Sequence, residues 1–381
     1  MFRTIRIRLE RTAGLVQTVS VFNQACQRVL DWGQENHEYN KTRLHHATYR
    51  GIRTDFPSLP SGLVQTARDQ ASEMMRRKEF EHRIFKKPFG AIRYDKRTLS
   101  VFLESGHCSI STVFGRMRYT FTLAEYYRQY MAWKVQSAQL IVGRNACYLN
   151  VQVEGEAPPL NSGDRRLGID LGINNIAVCS DNTFFNSKHW KNVKGKYQHL
   201  KAELQSKGTR SARRKLKAIS GRERRFVRDL NHRVAKEIVN KPYDVLVFED
   251  LTAIRDVKKN KAFNRKLGNW SFAQLFRFVE YKAEALGKKV LVINPYHTSQ
   301  TCSKCGHVSR SNRKKRQFKC VECGFSLDAD LNASRNIATF SRRVGGRSNV
   351  SRPNVAGAEA EGRKAFEAEP SYKPTISIVG C

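Results

Sequence analysis

The sequence predicts a multidomain α+β chain: a small N-terminal β-barrel or sandwich with a helical insertion, then an α/β domain carrying a metal ribbon. Three observations predict it. Residues Phe2–Leu9 alternate polar and apolar side chains as a strand does, yet β-rich runs return only over Ile92–Val153, so a helical stretch interrupts one β unit. From Leu167 onward, apolar runs of buried-strand type are separated by helical spacing, which is the pattern of a mixed sheet. Late in the chain stands Cys302-x2-Cys305-x14-Cys320-x2-Cys323, two pairs of thiolates at metal-ligand spacing. With 381 residues, the chain is long enough for more than one core.

The first strand sets Thr4, Arg6 and Arg8 against Ile5, Ile7 and Leu9, giving it one basic face. From about Leu15 to Glu35 the spacing is helical, through Val19, Phe22, Ala25, Val29 and Leu30. Phe56-Pro-Ser-Leu-Pro-Ser is a break, and Ser61 is the expected N-cap of a helix Gly62–Phe80. That helix carries Gln65, Arg68, Arg76, Arg77 and Lys78, either a face that reads nucleic acid or the wet side of an amphipathic helix. The runs Thr98–Leu103, Arg118–Thr122, Ala138–Val142 and Ala146–Val153 are the strands expected to join Phe2–Leu9, and Glu156–Gly163 is a polar boundary.

The third region opens with a strand meander from Leu167 to about Phe185. Residues 191–236 hold sixteen Lys/Arg against three acids, with Leu200, Leu204, Leu216, Phe226 and Leu230 among them, which predicts a hairpin of basic helices or a coiled-coil spacer. Asp244–Phe248 and Val290–Ile293 read as buried strands joined through a basic loop to Leu267 and a helix Phe272–Leu286 that Gly287 stops. From Ser341 to Cys381 the composition is that of a disordered tail.

The formal net charge is +35 and the pI about 10.2. Such an excess repels itself unless a polyanion neutralises it, so nucleic acid is the expected partner. No apolar run of membrane-spanning length and no signal-peptide core are present, so no membrane is expected. Nine cysteines, four of them paired, fit a reducing compartment, and the expected location is cytoplasmic and nucleoid-associated.

Two constellations carry chemistry. Gly306 and Gly324 follow the cysteine pairs and give the backbone freedom that such knuckles need. Four thiolates make a closed tetrahedral Zn²⁺ site with no place for a reactive water, hence a structural zinc, with an iron centre as the minor alternative; His307 is surplus. The second is acidic. Asp170 interrupts an apolar strand, Ile169-Asp-Leu-Gly-Ile173, where a buried carboxylate is expensive unless a cation compensates it, and Gly168 and Gly172 let another backbone or a substrate approach. Glu249 ends the strand Val245–Phe248, where sheets of this kind place ligands. Asp328 and Asp330 precede the last helix. Three carboxylates from separate elements can hold two Mg²⁺ (or Mn²⁺) for phosphodiester cleavage; singly, each is an ordinary cap or ion pair.

With Gly168-Ile-Asp170-Leu-Gly172, Val247-Phe-Glu249-Asp-Leu251, Asn269-Trp-Ser-Phe272, Gln300-Thr-Cys302-Ser-Lys-Cys305-Gly306 and Asp330-x-Asn332-Ala333, the sequence resembles the TnpB family, transposon-encoded relatives of type V CRISPR effectors. The resemblance covers roughly Leu167–Ile337 and is looser before it. It implies a β-barrel wedge domain (1–10 and 91–160) with a helical recognition domain (11–90), an RNase H-like RuvC nuclease domain (161–300), an inserted zinc ribbon (301–326), a RuvC C-terminal helix (327–340) and a tail (341–381). It implies an RNA-guided DNA endonuclease that binds a guide RNA from the transposon end, recognises a short adjacent motif and cuts double-stranded target DNA; related guided nucleases act as one protein per RNA or as larger assemblies, and one protein per RNA is the favoured expectation. Asp170, Glu249 and Asp330 carry over as the Mg²⁺-binding catalytic triad; matching Asp-x-Asn-Ala selects Asp330 over Asp328. Gln65, Arg68, Arg76 and Arg77 are the candidates for reading the adjacent motif. The alternatives are an RNA-guided repressor without productive cleavage and an unguided structure-selective nuclease.

Overall fold

The structure, a computed structural model, describes residues 1–78, 83–252, 271–344 and 347–348; the side chains of residues 77, 78, 343, 344, 347 and 348 lie outside the description. The end of the predicted helix at Phe80, the basic loop to Leu267, Asn269, Trp270 and the tail beyond residue 348 also fall outside it.

The N-terminal half begins with β1 (Phe2–Leu9), whose Ile5, Ile7 and Leu9 point inward while the residues between face water. Three helices follow: α1 (Ala13–Glu35), α2 (Lys41–Asp55) and α3 (Ser61–Lys78). The Thr12 hydroxyl caps α1 by accepting from Leu15 N, and Asn40 Oδ1 caps α2 by accepting from Thr42 N at 2.9 Å. The expected Ser61 cap of α3 is corrected by one residue. Leu63 N and Val64 N donate to Pro60 O, so Pro60 is the cap and Ser61 is already helical. Next come β2 (Ile92–Tyr94), β3 (Leu99–Phe102), β4 (His107–Thr112), β5 (Gly115–Thr120), β6 (Lys134–Val142) and β7 (Cys147–Glu154).

These strands form a four-stranded sheet, β1-β7-β6-β2, and a three-stranded sheet, β3-β4-β5. No strand pairing joins the two among the described residues. One apolar cluster runs from Ile5 to Val153 through both sheets and all three helices. Thr18 Oγ1 of α1 accepts from Val113 N at 3.0 Å, tying the helical insertion to the second sheet from inside.

The second half is built on a six-stranded sheet in the order β10-β9-β8-β11-β12-β16. Its strands are β8 (Arg166–Asp170), β9 (Asn175–Cys179), β10 (Phe184–Asn186), β11 (Val245–Glu249), β12 (Lys289–Ile293) and β16 (Arg347–Ser348). β11 pairs parallel with β8 and with β12, while the β8–β9, β9–β10 and β12–β16 pairings are antiparallel, so the sheet is mixed. A hairpin of α4 (Lys188–Lys207) and α5 (Arg210–Asn240) crosses between β10 and β11, and α6 (Phe272–Glu284) between β11 and β12. Leu167, Ile169, Leu246 and Phe248 pack toward α5 and α6, where Val234, Ile238, Leu275 and Val279 meet them. Val245, Val247 and Ile293 pack on the opposite side with Ile337 of α7 (Ala329–Val344).

Between β12 and α7 lies the ribbon, with β13 (Arg313–Lys314), β14 (Gln317–Lys319) and β15 (Ser326–Asp328) in one small sheet. The expected start of the tail at Ser341 is also corrected. Ser341 is buried, its hydroxyl donates to Ala338 O at 2.8 Å and accepts from Arg166 Nη1 at 3.1 Å, and the helix continues to Val344. Arg347–Ser348 then pairs with β12.

Candidate active site

Strand alternation decides where the acids go. In the parallel pairing of β8 with β11, Val247 stands opposite Gly168 and Phe248 opposite Ile169, so the next step brings Glu249 beside Asp170. Successive side chains point to opposite faces, and Val245 and Val247 face α7; Gly168, Asp170 and Glu249 therefore share that face. Gly168 explains how close α7 comes. A Cβ there would lie 2.0 Å from Ser334 O and 2.6 Å from Ala338 N, both backbone atoms of α7. The glycine thus admits a helix, and Asp330 sits one turn upstream of that contact.

Asp330 Oδ2 accepts from Asn175 Nδ2 at 3.1 Å, and Oδ1 accepts from Arg313 Nη2 at 3.1 Å. The Asp328 carboxylate accepts from Asp330 N at 3.0 Å and from Leu331 N at 3.2 Å, so Asp328 caps α7 while Asp330 points into the cluster. Burial pushes the Asp170 carboxyl well above the usual carboxylate range, and Glu249, Asp330 and Asp328 add repulsion against the relief given by Arg313. Glu249 is also raised, first by burial, with a hydrogen bond from Thr298 and the Arg313 charge pulling the other way. The three sequence-predicted acids are therefore close enough to feel one another, though not as tightly drawn as the thiolates described next. Hard oxygen donors whose mutual repulsion a small divalent cation would relieve fit Mg²⁺ or Mn²⁺.

The ribbon supplies the other metal-type site. Sγ atoms of Cys302, Cys305, Cys320 and Cys323 all lie within 4.8 Å of one another, the one such ligand group among the described residues. Cys302 Sγ is 3.7 Å from Cys323 Sγ and Cys305 Sγ 3.6 Å from Cys320 Sγ. A tetrahedral ion with metal–sulfur bonds of about 2.3 Å requires sulfurs about 3.8 Å apart, so the four fit a zinc-sized ion. Gly306 and Gly324 take left-handed φ values of 83° and 69°, and their N–H groups donate to Cys302 O and Cys320 O to close each knuckle. His307 contributes its carbonyl to Cys302 N.

Two buried asparagines join ribbon to helix. Asn332 Oδ1 accepts from Ser303 N at 3.0 Å and its Nδ2 donates to Thr301 O at 2.8 Å; Asn336 Nδ2 donates to Thr298 O at 2.8 Å and Thr301 O at 2.6 Å. Asn175, Thr298, Arg313 and Asn336 are site residues that sequence reasoning did not single out, and it used Asn332 only as part of a motif. Arg313 sits in a run with Arg310, Lys314, Lys315 and Arg316, and no local signal separates it from them.

The candidates on α3 lie away from this cluster. Gln65 Oε1 accepts from Arg97, and Arg68 binds Asp69 Oδ1 through Nε at 3.2 Å and Nη2 at 2.8 Å. Arg76 is exposed with its guanidinium 5.4 Å from the centre of the Tyr39 ring. Arg77 lies on the helix, its side chain outside the description.

A family model described as "Probable transposase" (OrfB_IS605) matches residues 148–260, and one described as "Cas12f1-like, TNB domain" matches residues 272–337. A CRISPR-associated endodeoxyribonuclease Cas12f1 of Sulfoacidibacillus thermotolerans is 32% identical over 234 residues, 54% of this chain and 53% of the relative. A TnpB-like protein of Methanocaldococcus jannaschii is 38% identical over 135 residues, 34% of this chain and 48% of the relative. The chain thus spans about half the length of these curated relatives. A solved Cas12f1–sgRNA–target DNA complex contains a chain of similar fold, with a TM-score of 0.59 at 16% identity over 85% of this chain and 81% of that one. Both models fall on the half that holds the acids and the ribbon, and the chain is similar to TnpB-like and Cas12f1 proteins.

Proposed function

We propose that this chain is an RNA-guided DNA endonuclease of a transposon. It binds a guide RNA derived from the transposon end, one protein per RNA, recognises a short adjacent motif, opens duplex DNA and cleaves it at one RuvC-type site in the cytoplasm, at the nucleoid. The observation that carries this reading is the meeting of Asp170, Glu249 and Asp330, from β8, β11 and α7, on one face of the sheet of a chain with net charge +35. A polyanion-binding protein has no structural need to crowd carboxylates; a phosphodiesterase does, because its metals need them. The relatives named as endonucleases support the same reading.

Asp170, Glu249 and Asp330 would hold two Mg²⁺, which when bound supply an activated water and stabilise the leaving oxygen. Asn175 and Arg313 fix the rotamer of Asp330, and Thr298 lies beside Glu249. The four cysteines would hold a structural zinc, whose role is to keep Arg313 and the Asn332–Ser303 contact in register with α7. The distributed positive charge suits a heteroduplex gripped through its backbone. On α3, the exposed Arg76 and the Gln65–Arg97 pair are the proposed contacts to the adjacent motif, with Arg68 held back by Asp69.

The test is Mg²⁺-dependent cleavage by single variants. Asp170→Asn, Glu249→Gln and Asp330→Asn should each abolish it, whereas Asp328→Asn should retain it, because an amide oxygen still caps a helix. Equal loss from Asp328→Asn, or activity surviving in Asp170→Asn, contradicts the assignment. Tight binding of matched DNA without cleavage by the wild type would favour the repressor.

A further inference from the structure

We propose that Tyr296 is a stacking platform that holds one nucleobase of the single-stranded DNA to be cut beside the acidic cluster. This rests on the nuclease reading above. β11 and β12 end level, with Glu249 opposite Ile293 and Asp250 N donating to Ile293 O at 2.8 Å. The chain leaving β12 therefore starts beside Glu249 and passes through Asn294, Pro295 and Tyr296, all exposed, before the buried Thr298 turns back toward Glu249.

Tyr296 is 73% exposed, the largest value among the exposed large hydrophobic side chains of the described residues. Apart from its contact with His297, so exposed a phenol ring gains little for the fold, and the surrounding backbone holds it there. Asn294 Oδ1 accepts from Tyr296 N at 3.0 Å, and Thr298 Oγ1 donates to Pro295 O at 3.0 Å. His297 adopts φ +61°, the left-handed region that a non-glycine residue enters at a cost, with its ring centre 3.7 Å from that of Tyr296. The carbonyl of His297 accepts from Gln300 N, Thr301 N and Thr301 Oγ1, which anchors the turn to the segment entering the ribbon. An aromatic side chain presented to solvent from a pinned turn, three residues after the Ile293 that pairs with Glu249, in a strongly basic chain, fits a base whose flanking phosphate lies over the acids. A duplex hides its base faces, so the occupant is single-stranded.

The experiment uses the full-length protein with its bound nucleic acid and a single-stranded DNA carrying 2-aminopurine, whose fluorescence falls on stacking. In the Asp170→Asn background, quenching should occur at one position, persist in Tyr296→Phe and vanish in Tyr296→Ala. With Asp170 intact, Tyr296→Ala should weaken substrate use by roughly 5- to 150-fold while Tyr296→Phe stays near wild type. Identical quenching in Tyr296→Ala and its parent overturns the proposal. The quenching requires no cleavage, so it reads the platform even if the nuclease reading fails, and unchanged melting of Tyr296→Ala excludes misfolding as the cause of its loss.

Discussion

Substituting Gly168 by alanine tests the geometry of the site through a position that carries no functional group. The new Cβ would stand 2.0 Å from Ser334 O and 2.6 Å from Ala338 N, whereas ordinary contact begins at 3.4 Å. Relief cannot come from a side-chain rotation, because both atoms belong to the backbone of α7. The helix or the strand must yield by about 1.4 Å, the gap between 2.0 and 3.4 Å. Overpacking of this kind costs about 1–3 kcal/mol or more. The same displacement moves Asp330, one turn upstream, relative to Asp170 and Glu249, and misplacement by about 1 Å is worth on the order of 100-fold in rate. Urea unfolding and single-turnover cleavage, run where the variant is still folded, should therefore both respond, by comparable free energies. A Gly168→Ala protein as stable and as fast as the wild type would refute the claim that α7 is seated by backbone contact on β8.

Three further outcomes follow from named contacts. Asn332→Ala strips the partner from Ser303 N, while Thr301 O keeps its bond from Asn336 Nδ2, so the one group left unsatisfied should cost about 1–3 kcal/mol and the urea midpoint should fall; an unchanged midpoint contradicts the ribbon–helix clamp. Metal analysis should find a single zinc per chain, lost together with a marked drop in melting temperature in Cys305→Ser; iron in its place, or no thermal effect, contradicts the structural zinc. Glu223, 9% exposed, pairs with Lys194 at 3.3 Å and with Lys201 between α4 and α5. Burial pushes its carboxyl up, but the two lysines outweigh this and hold it below its usual value. A depressed carboxylate contributes stability that is complete above its usual value of about 4.5 and is lost as the pH falls further. Glu223→Gln should cost about 1–3 kcal/mol at neutral pH and flatten that acid limb; an unaltered acid limb contradicts the pairing.

How much of this was legible in the sequence depended on whether the cause was local. The parallel strands announced themselves as unbroken apolar runs, and the cysteine knuckles by spacing alone. Asp170 and Glu249 were legible because an acid on an apolar strand has no cheap structural explanation. α2 left little periodic signal, since among its fifteen residues only Leu44, Thr48 and Ile52 are buried. The shared core of the helical insertion and the two N-terminal sheets depends on tertiary packing that no window reports. Gly168 was recognised as a place of close approach, but the sequence left open whether a substrate or a backbone comes near; the answer is α7. Arg313 was invisible for the opposite reason to Asp170: it is one cation in a run of cations, and only the ribbon's turn aims it at Asp330.

The most direct test of the central claim is to purify the protein, sequence the RNA that accompanies it, and offer a duplex DNA matching that RNA to the wild type and to Asp170→Ala in Mg²⁺. The account predicts a discrete bound RNA and cleavage of the matched duplex by the wild type alone. A protein that carries no RNA, or an Asp170→Ala variant that cuts as the wild type does, would contradict it.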